Sequence, residues 1–139
     1  MHTEQVADML HGAAIRLLRY VRKEDAASGV TGAQLSVLSV LAFGGPQTAS
    51  ALAAAEQVKP PTMSQLISEL ERLQLVMRKP LDRRSSEISL TRKGRRLMEA
   101  GRKRRLARLT KAIADLPPEQ IDKLAQAAGL MVAITDPSI

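Results

Sequence analysis

The stretch of residues 60–94 constrains the fold of this chain more than any other part of the sequence. It begins with two prolines, which a helix accepts in its first turn, and an amphipathic pattern then continues to Leu73. A short apolar run at 75–78 and an alternating run at 87–90 flank a basic turn at 79–84. This order predicts a helix followed by a charged β-hairpin, an arrangement that can grip a nucleic-acid duplex by two grooves.

Composition favours a core of aliphatic side chains packed between helices. Hydrophobic residues make up 45% of the 139 residues, yet the chain has one Phe, one Tyr and no Trp. The length suits one domain that buries its own core. The absence of Cys excludes a disulfide framework, a thiolate metal site and a switch based on thiol oxidation.

The positive charge is confined to one region of the chain. Residues 72–108 contain 14 Lys or Arg and three acids, a net of +11, whereas the remaining residues carry a net of −4 within the total of +7. A uniform basic bias could serve solubility alone, but this asymmetry indicates an anionic partner, most simply nucleic acid.

The rest of the sequence predicts five further helices. Apolar residues with a 3.6-residue period give a first helix from about residue 4 to 25. Thr31 and Thr48 are suited to cap the second and third helices, and a Gly-Gly-Pro sequence ends the second. A long fifth helix is predicted at about 92–115, and Pro118 lies in the first turn of a sixth.

The first residues lack the basic and apolar regions of a secretory signal. The apolar runs are also far shorter than the roughly 20 residues needed to span a bilayer. We therefore expect a soluble cytoplasmic protein with no membrane partner.

Several short motifs, in a fixed order, resemble one family of regulators. They are Thr-Gly-Ala-Gln-Leu-Ser-Val-Leu at 31–38, Leu52-Ala53, Leu-Glu-Arg-Leu at 70–73, Asp-Arg-Arg at 82–84, Leu90-Thr91 and Gly94. The spacing from the Asp-Arg-Arg motif to Leu90-Thr91 and Gly94 is the most specific part. Together these residues resemble the MarR family of bacterial transcription regulators, and the resemblance covers nearly the whole chain.

The resemblance implies a mainly α-helical fold with a small β-hairpin wing. It implies a single domain over residues 1–139, with a winged helix-turn-helix at about 31–92 and flanking dimerisation helices at about 1–27 and 93–139. The sequence departs from the family pattern at Gln74, where Gly is common because the turn needs a left-handed residue. A Gln in that conformation costs roughly 1 kcal/mol, unless the turn shifts. The wing is also shorter than is common in the family.

The predicted helix at 60–73 would enter the major groove with its N-terminal residues at base edges. Gln can pair with adenine, and Ser or Thr can donate to or accept from several bases. The candidates for these contacts are Pro61, Thr62, Ser64, Gln65 and Ser68. Taken alone, such a face would more often be an ordinary solvated one, and the adjoining hairpin is what favours DNA.

The hairpin tip carries Arg83 and Arg84, which could enter a narrow minor groove. By resemblance, Asp82 orients Arg84 through an ion pair and does not itself touch DNA. A solvated charged turn is the alternative for the tip considered alone. Phosphate contacts, which position a protein without reading sequence, are expected from Thr48, Lys59, Arg72, Arg78 and Lys79.

The basic run at 102–105 and the two histidines are assigned no catalytic or metal-binding role. Arg102 to Arg105 span a full helical turn, so we expect part of this run to face solvent or an acidic helix of a partner chain. His2 and His11 are nine residues apart and do not form a helical metal pair. No nucleophile–base pair or phosphate-cradling loop is present, so the sequence predicts neither an enzyme nor a cofactor or metal site.

The sequence and the resemblance together predict a sequence-specific DNA-binding repressor that acts as a homodimer on a palindromic operator. A small-molecule effector is expected to lower its operator affinity, from an aliphatic pocket between the first, second and fifth helices. The alternative is a winged-helix interaction module whose basic face docks an acidic protein.

Overall fold

The computed structural model describes residues 1–136 as a mainly α-helical chain with one small sheet. This confirms the predicted fold class of helices with a β-hairpin. The helices are α1 (Thr3–Arg22), α2 (Gly32–Gly44), α3 (Ala49–Glu56), α4 (Pro60–Arg72), α5 (Arg92–Ala114) and α6 (Pro118–Thr135), with a 3-10 helix at Lys23–Ser28. The strands are β1 (Gln47–Thr48), β2 (Val76–Pro80) and β3 (Ser86–Leu90).

The predicted N-caps Thr31 and Thr48 are confirmed, because each hydroxyl accepts a hydrogen bond from a backbone N–H in the first turn of its helix. The Thr31 hydroxyl accepts from the backbone N–H of Gln34 at 3.1 Å, and the Thr48 hydroxyl accepts from that of Ala51 at 3.1 Å. Each cap satisfies one of the N–H groups that a helix start leaves without a partner. The first helix was predicted to reach residue 25, but the α-helix ends at Arg22 and continues as the 3-10 turn.

The sheet is antiparallel, with the strand order β1-β3-β2. The hairpin of β2 and β3 has the register Val76 opposite Leu90 through Pro80 opposite Ser86. The sequence predicted this hairpin but missed β1, whose two residues pair with Glu87 and Ile88. A two-residue strand has no periodicity of its own, so only the fold identifies it.

The buried core lies under α4 and holds that helix against its neighbours. Met63, Ile67 and Leu70, spaced by four and three residues, form its fully buried face. They belong to a cluster with aliphatic residues of α2, α3 and the hairpin, which are Val37, Leu38, Leu41, Leu52, Ala53, Leu75, Val76, Ile88 and Leu90. Each fully buried side chain of this kind contributes about 1.5–3 kcal/mol relative to exposure. The opposite face of α4 is therefore left for solvent or a partner.

The start of α5 is fastened to the turn that follows α4. Gln74 adopts the left-handed conformation, with φ 61°, which is one of the two outcomes left open by the sequence, the other being a shifted turn. The Thr91 hydroxyl donates to the Gln74 carbonyl at 2.6 Å, and the Thr91 N–H donates to the Leu75 carbonyl at 3.1 Å. At Gly94 an added Cβ would fall well inside van der Waals contact with the Leu75 carbonyl oxygen. Close approach of the two backbones therefore requires glycine there.

The chain divides into two compact units, Met1–Arg105 and the residues from Leu106 onward. Neither α1, in the first unit, nor α6, in the second, contains a buried residue within the described chain. No single helix among residues 1–136 is long and apolar enough to cross a membrane, although Thr3–Ser28 and Gly32–Gly44, bent by 101°, meet that limit as a pair.

Candidate nucleic-acid interface

The outer face of α4 is an exposed polar stripe. Every residue predicted to contact bases is exposed, and so is Arg72, a predicted phosphate contact. The stripe comprises Pro61, Thr62, Ser64, Gln65, Ser68 and Arg72. Lys59 stands exposed at the N-cap position and makes no side-chain cap. Pro60 and Pro61 occupy the first turn, where a missing N–H leaves no helical bond unmade. The helix therefore begins without side-chain capping, and its polar side chains are available to a partner.

The wing tip is a turn that Asp82 holds through the backbone. One oxygen, Oδ1, accepts from the N–H of Arg84 at 2.8 Å, the N–H of Ser85 at 2.9 Å and the Ser85 hydroxyl at 3.1 Å. The N–H of Leu81 also donates to the Ser85 carbonyl at 3.0 Å, which closes the loop. The tip is thus shaped by hydrogen bonds within the loop itself.

This geometry corrects the predicted role of Asp82. Arg78 forms an ion pair with Glu71 and Arg105 with Asp25, whereas no ion pair joins Asp82 to the Arg84 guanidinium in the described part of the chain. The Oδ1 atom of Asp82 accepts from three donors of the loop, so the carboxylate orders the backbone that carries Arg84 rather than the Arg84 side chain. Arg83 and Arg84 are exposed at the tip, as are Asp82 and Lys79.

The same hydrogen bonds change the acidity of Asp82. The N–H groups of Arg84 and Ser85, followed by the Ser85 hydroxyl, stabilise the charged form and hold the pKa of this carboxyl below its ordinary value. Since the folded pKa is lowered, the contribution of the carboxylate is fully present at neutral pH. It is lost only as the pH falls through that lowered value.

Two of the predicted phosphate contacts also have structural partners. Arg78 donates from Nε at 3.2 Å and Nη2 at 2.8 Å to Oε1 of Glu71, so its charge is shared with the last turn of α4. The Thr48 hydroxyl is used as the cap of α3. Lys79 lies opposite Glu87 in the hairpin register. Of these cations, Lys79 is exposed without an ion pair in the described part of the chain.

Two residues that the sequence did not single out, Gln34 and Lys93, donate hydrogen bonds to α4 and to its C-cap. Gln34 donates from Nε2 to Oε2 of Glu69 at 3.1 Å, and Lys93 donates from Nζ to the Leu73 carbonyl at 2.9 Å. The Thr-x-x-Gln pattern at 31–34 could have indicated a capping box, which the structure contains. No local pattern reveals these partners, Glu69 on α4 and Leu73 at its C-cap, because they are 35 and 20 residues away along the chain.

The arginine run on α5 has a partner within its own chain. Arg105 donates from Nη1 to Oδ1 of Asp25 at 3.0 Å, and both side chains are about one-quarter exposed. Arg102 and Lys103 are exposed, as expected. The acidic partner expected from another chain is therefore supplied, for Arg105, by the 3-10 helix of the same chain.

A cavity of about 430 Å³ lies between the end of α2, β3 and α5. Its apolar wall includes Leu41, Leu90 and Met98, and its charged wall includes Arg95 and Arg102. Helix α1 does not line this cavity and the lining is not purely aliphatic, so the cavity differs from the effector pocket expected between the first, second and fifth helices, which stays a prediction. Within residues 1–136 no group of three His, Asp or Glu side chains could hold a metal ion.

A helix-turn-helix whose second helix is followed by a basic hairpin defines the winged-helix class of DNA-binding proteins. A sequence model of the MarR family matches residues 28–85. An HTH-type transcriptional regulator of Mycobacterium tuberculosis is 37% identical over 136 residues, which cover 96% of this chain and 95% of that protein. The chain belongs to the MarR family.

Solved structures share the fold. A transcriptional regulator from Thermotoga maritima superposes with a TM-score of 0.83 at 25% identity, covering 95% of this chain and 94% of the other. A mutant of Staphylococcus aureus MepR bound to an oligodeoxyribonucleotide gives a TM-score of 0.70 at 21% identity, covering 94% and 98% of the two chains. At that identity the second likeness shows the fold alone.

The family identifies this protein as a DNA-binding transcriptional regulator of the helix-turn-helix type, and not an enzyme. The alternative of a module that docks an acidic protein is thereby set aside. The exposed stripe of α4 and the wing tip are therefore the candidate surfaces for contact with a DNA duplex.

Proposed function

We propose that this protein is a repressor that binds a palindromic operator as a homodimer in the cytoplasm. The observation that carries the proposal is the pairing, within one unit, of an exposed polar stripe on α4 with a preformed wing tip bearing Arg83 and Arg84. A repressor of this form acts by occupying its operator. The DNA-binding part is proposed to be residues 31–92, with dimerisation parts at 1–27 and 93–139, of which residues 137–139 lie outside the described residues.

The stripe on α4 supplies the groups that read bases in the major groove. Gln65 offers a donor and an acceptor that match adenine, while Thr62, Ser64 and Ser68 adapt to several bases and Pro61 makes apolar contact. Phosphate contacts come from the flanking residues Thr48, Lys59, Arg72, Arg78 and Lys79. Arg83 and Arg84, held by the Asp82 turn, reach the minor groove.

Dimerisation is proposed because α1 and α6 both expose apolar side chains. On α1 these include Val6, Met9 and Leu18, and on α6 they include Leu124 and Leu130. Exposed apolar surface of this extent marks an interaction site in a folded protein. A second copy related by twofold symmetry would cover it and place two α4 helices on successive major grooves, about 34 Å apart.

An effector is proposed to bind the cavity between α2, β3 and α5. Leu90 ends the wing strand and Met98 lies on α5, so a ligand there contacts both the DNA-reading hairpin and the long helix. Occupancy lowers operator affinity if the ligand favours an arrangement of these elements that does not fit the duplex.

Selection of bound duplexes from a random library tests the central proposal. We expect the parent protein to enrich one palindromic sequence, with half-sites about one helical turn apart. Sedimentation at micromolar concentration should give the mass of a dimer rather than of a 15.1 kDa monomer. No enrichment over random DNA at fixed salt, or an unsymmetrical single half-site, would contradict the proposal.

A further inference from the structure

Glu69 is a carboxylate on the inner side of the helix that reads DNA. It is half-buried, and its Oε2 accepts a hydrogen bond from Nε2 of Gln34 on α2, at 3.1 Å. Gln34 is 8% exposed and is the one buried polar residue in the described part of the chain. A buried amide that donates to a carboxylate makes a charge-assisted bond, and removal of either partner leaves an unsatisfied group.

The orientation of the Gln34 amide is fixed from its other end. Its Oε1 accepts from the backbone N–H of Thr31 at 3.0 Å, as part of the capping box that starts α2. An amide has one acceptor atom and one donor atom at its end, so acceptance from Thr31 turns the NH₂ group toward Glu69. The first turn of α2 and the side of α4 are therefore joined through one side chain.

We propose that Gln34 is a positioning residue for sequence reading, an inference that rests on the proposed function. Glu69 lies one turn after Gln65 and next to Ser68, both of which are exposed in the stripe that is proposed to face the duplex. Hydrogen bonds to bases hold only over a few tenths of an ångström, whereas attraction to phosphates falls off slowly with distance. A small displacement of α4 thus costs affinity for the selected sequence more than affinity for random DNA.

The substitution Gln34→Glu tests the bond directly. The new side chain keeps an acceptor for the Thr31 N–H but loses the NH₂ donor. A second carboxylate then faces Glu69, and the two like charges repel each other. We expect affinity for the duplex selected by the parent protein to fall about tenfold, from the scale of a lost bond to a charged group. Affinity for random duplex should fall much less.

The double variant Gln34→Glu with Glu69→Gln provides the rescue. The amide now lies on α4 and donates to the carboxylate on α2, which still accepts from the Thr31 N–H. The variant carries the same net charge as the parent, and we expect it to recover most of the preference for the selected duplex. Recovery is a result that loss of packing alone does not produce.

The matched control is Ala33→Glu, which adds the same charge at the neighbouring exposed position of α2, away from Glu69. It should lower affinity for the selected and random duplexes alike. The inference is overturned if Gln34→Glu behaves like this control, or if the double variant folds yet shows no recovered preference. Should Gln34→Glu fail to fold, the double variant decides alone. A parent that selects no sequence at all refutes the proposed function instead, before any variant is made.

Discussion

Substitution of Gly94 by Ala tests whether the start of α5 is fastened to the turn after α4. The added Cβ would overlap the Leu75 carbonyl oxygen and lie 3.2 Å from its carbon, both backbone atoms of a turn that cannot rotate away. We estimate about 1–3 kcal/mol for the strain and about 1 kcal/mol for the weakened Thr91-to-Leu75 bond. The better helix propensity of Ala offsets about 1 kcal/mol of this.

The net loss of about 1–3 kcal/mol corresponds to roughly 4–12 °C in melting temperature for a chain of this size. Thermal unfolding followed by circular dichroism at one fixed protein concentration measures it, since a dimer melts in a concentration-dependent way. Gly101→Ala is the matched control on the same helix, because its Cβ would meet only the flexible ends of Arg105 and Arg104, at 3.2 and 3.7 Å. If Gly94→Ala melts no lower than Gly101→Ala, the backbone at Gly94 does not pack closely against the Leu75 carbonyl and the reasoning is wrong.

Five other substitutions test the turn after α4 and the wing. Gln74→Gly should raise the free energy of unfolding, measured with denaturant, by about 0.5–1 kcal/mol, because glycine adopts the left-handed conformation without strain. A lower free energy of unfolding would show that Gln74 is not strained. Asp82→Ala should weaken binding of the selected duplex, although it removes a negative charge, because the turn loses its acceptor. Asp82→Asn keeps an acceptor and should bind the duplex nearly as the parent does. Tighter binding by Asp82→Ala would show that the wing tip attracts DNA only through its positive charge. Arg84→Ala should weaken the selected duplex by roughly 1–3 kcal/mol, and Lys79→Ala should weaken selected and random duplexes equally and reduce the salt slope by about one, in titrations at two salt concentrations. Equal behaviour of Arg84→Ala and Lys79→Ala would exclude insertion into the groove.

Features encoded by neighbouring residues could be predicted from the sequence. The caps at Thr31 and Thr48 and the Pro-started α4 each depend on a few adjacent residues whose chemistry favours one local conformation. The left-handed residue at position 74 follows instead from the family resemblance, since Gln itself does not favour that conformation. The buried face of α4 follows from the spacing of Met63, Ile67 and Leu70. In each case the signal and its structural result lie within one or two helical turns.

Features that join distant residues could not be predicted in this way. The bond from Gln34 to Glu69, the bond from Arg105 to Asp25 and the pairing of β1 with β3 span 35, 80 and about 40 residues. Many polar residues compete for such partners, and only the packed core decides which of them meet. The Asp82 turn is local, yet the family resemblance implies an ion pair with Arg84 there, whereas the carboxylate accepts from the backbone N–H groups of Arg84 and Ser85.

The two acids of α4 show how a basic surface is kept free of opposing charge. Glu69 is held by Gln34 on the inner side, and Glu71 is held by Arg78 of the hairpin. The outer stripe therefore contains no acidic residue, although the helix as a whole carries two. At the wing tip the one acid, Asp82, is likewise satisfied by its own loop. Glu69, Glu71 and Asp82 thus each hold a neighbouring helix, strand or loop, and none of them forms an ion pair with Arg83 or Arg84, the cations proposed to contact DNA, in the described part of the chain.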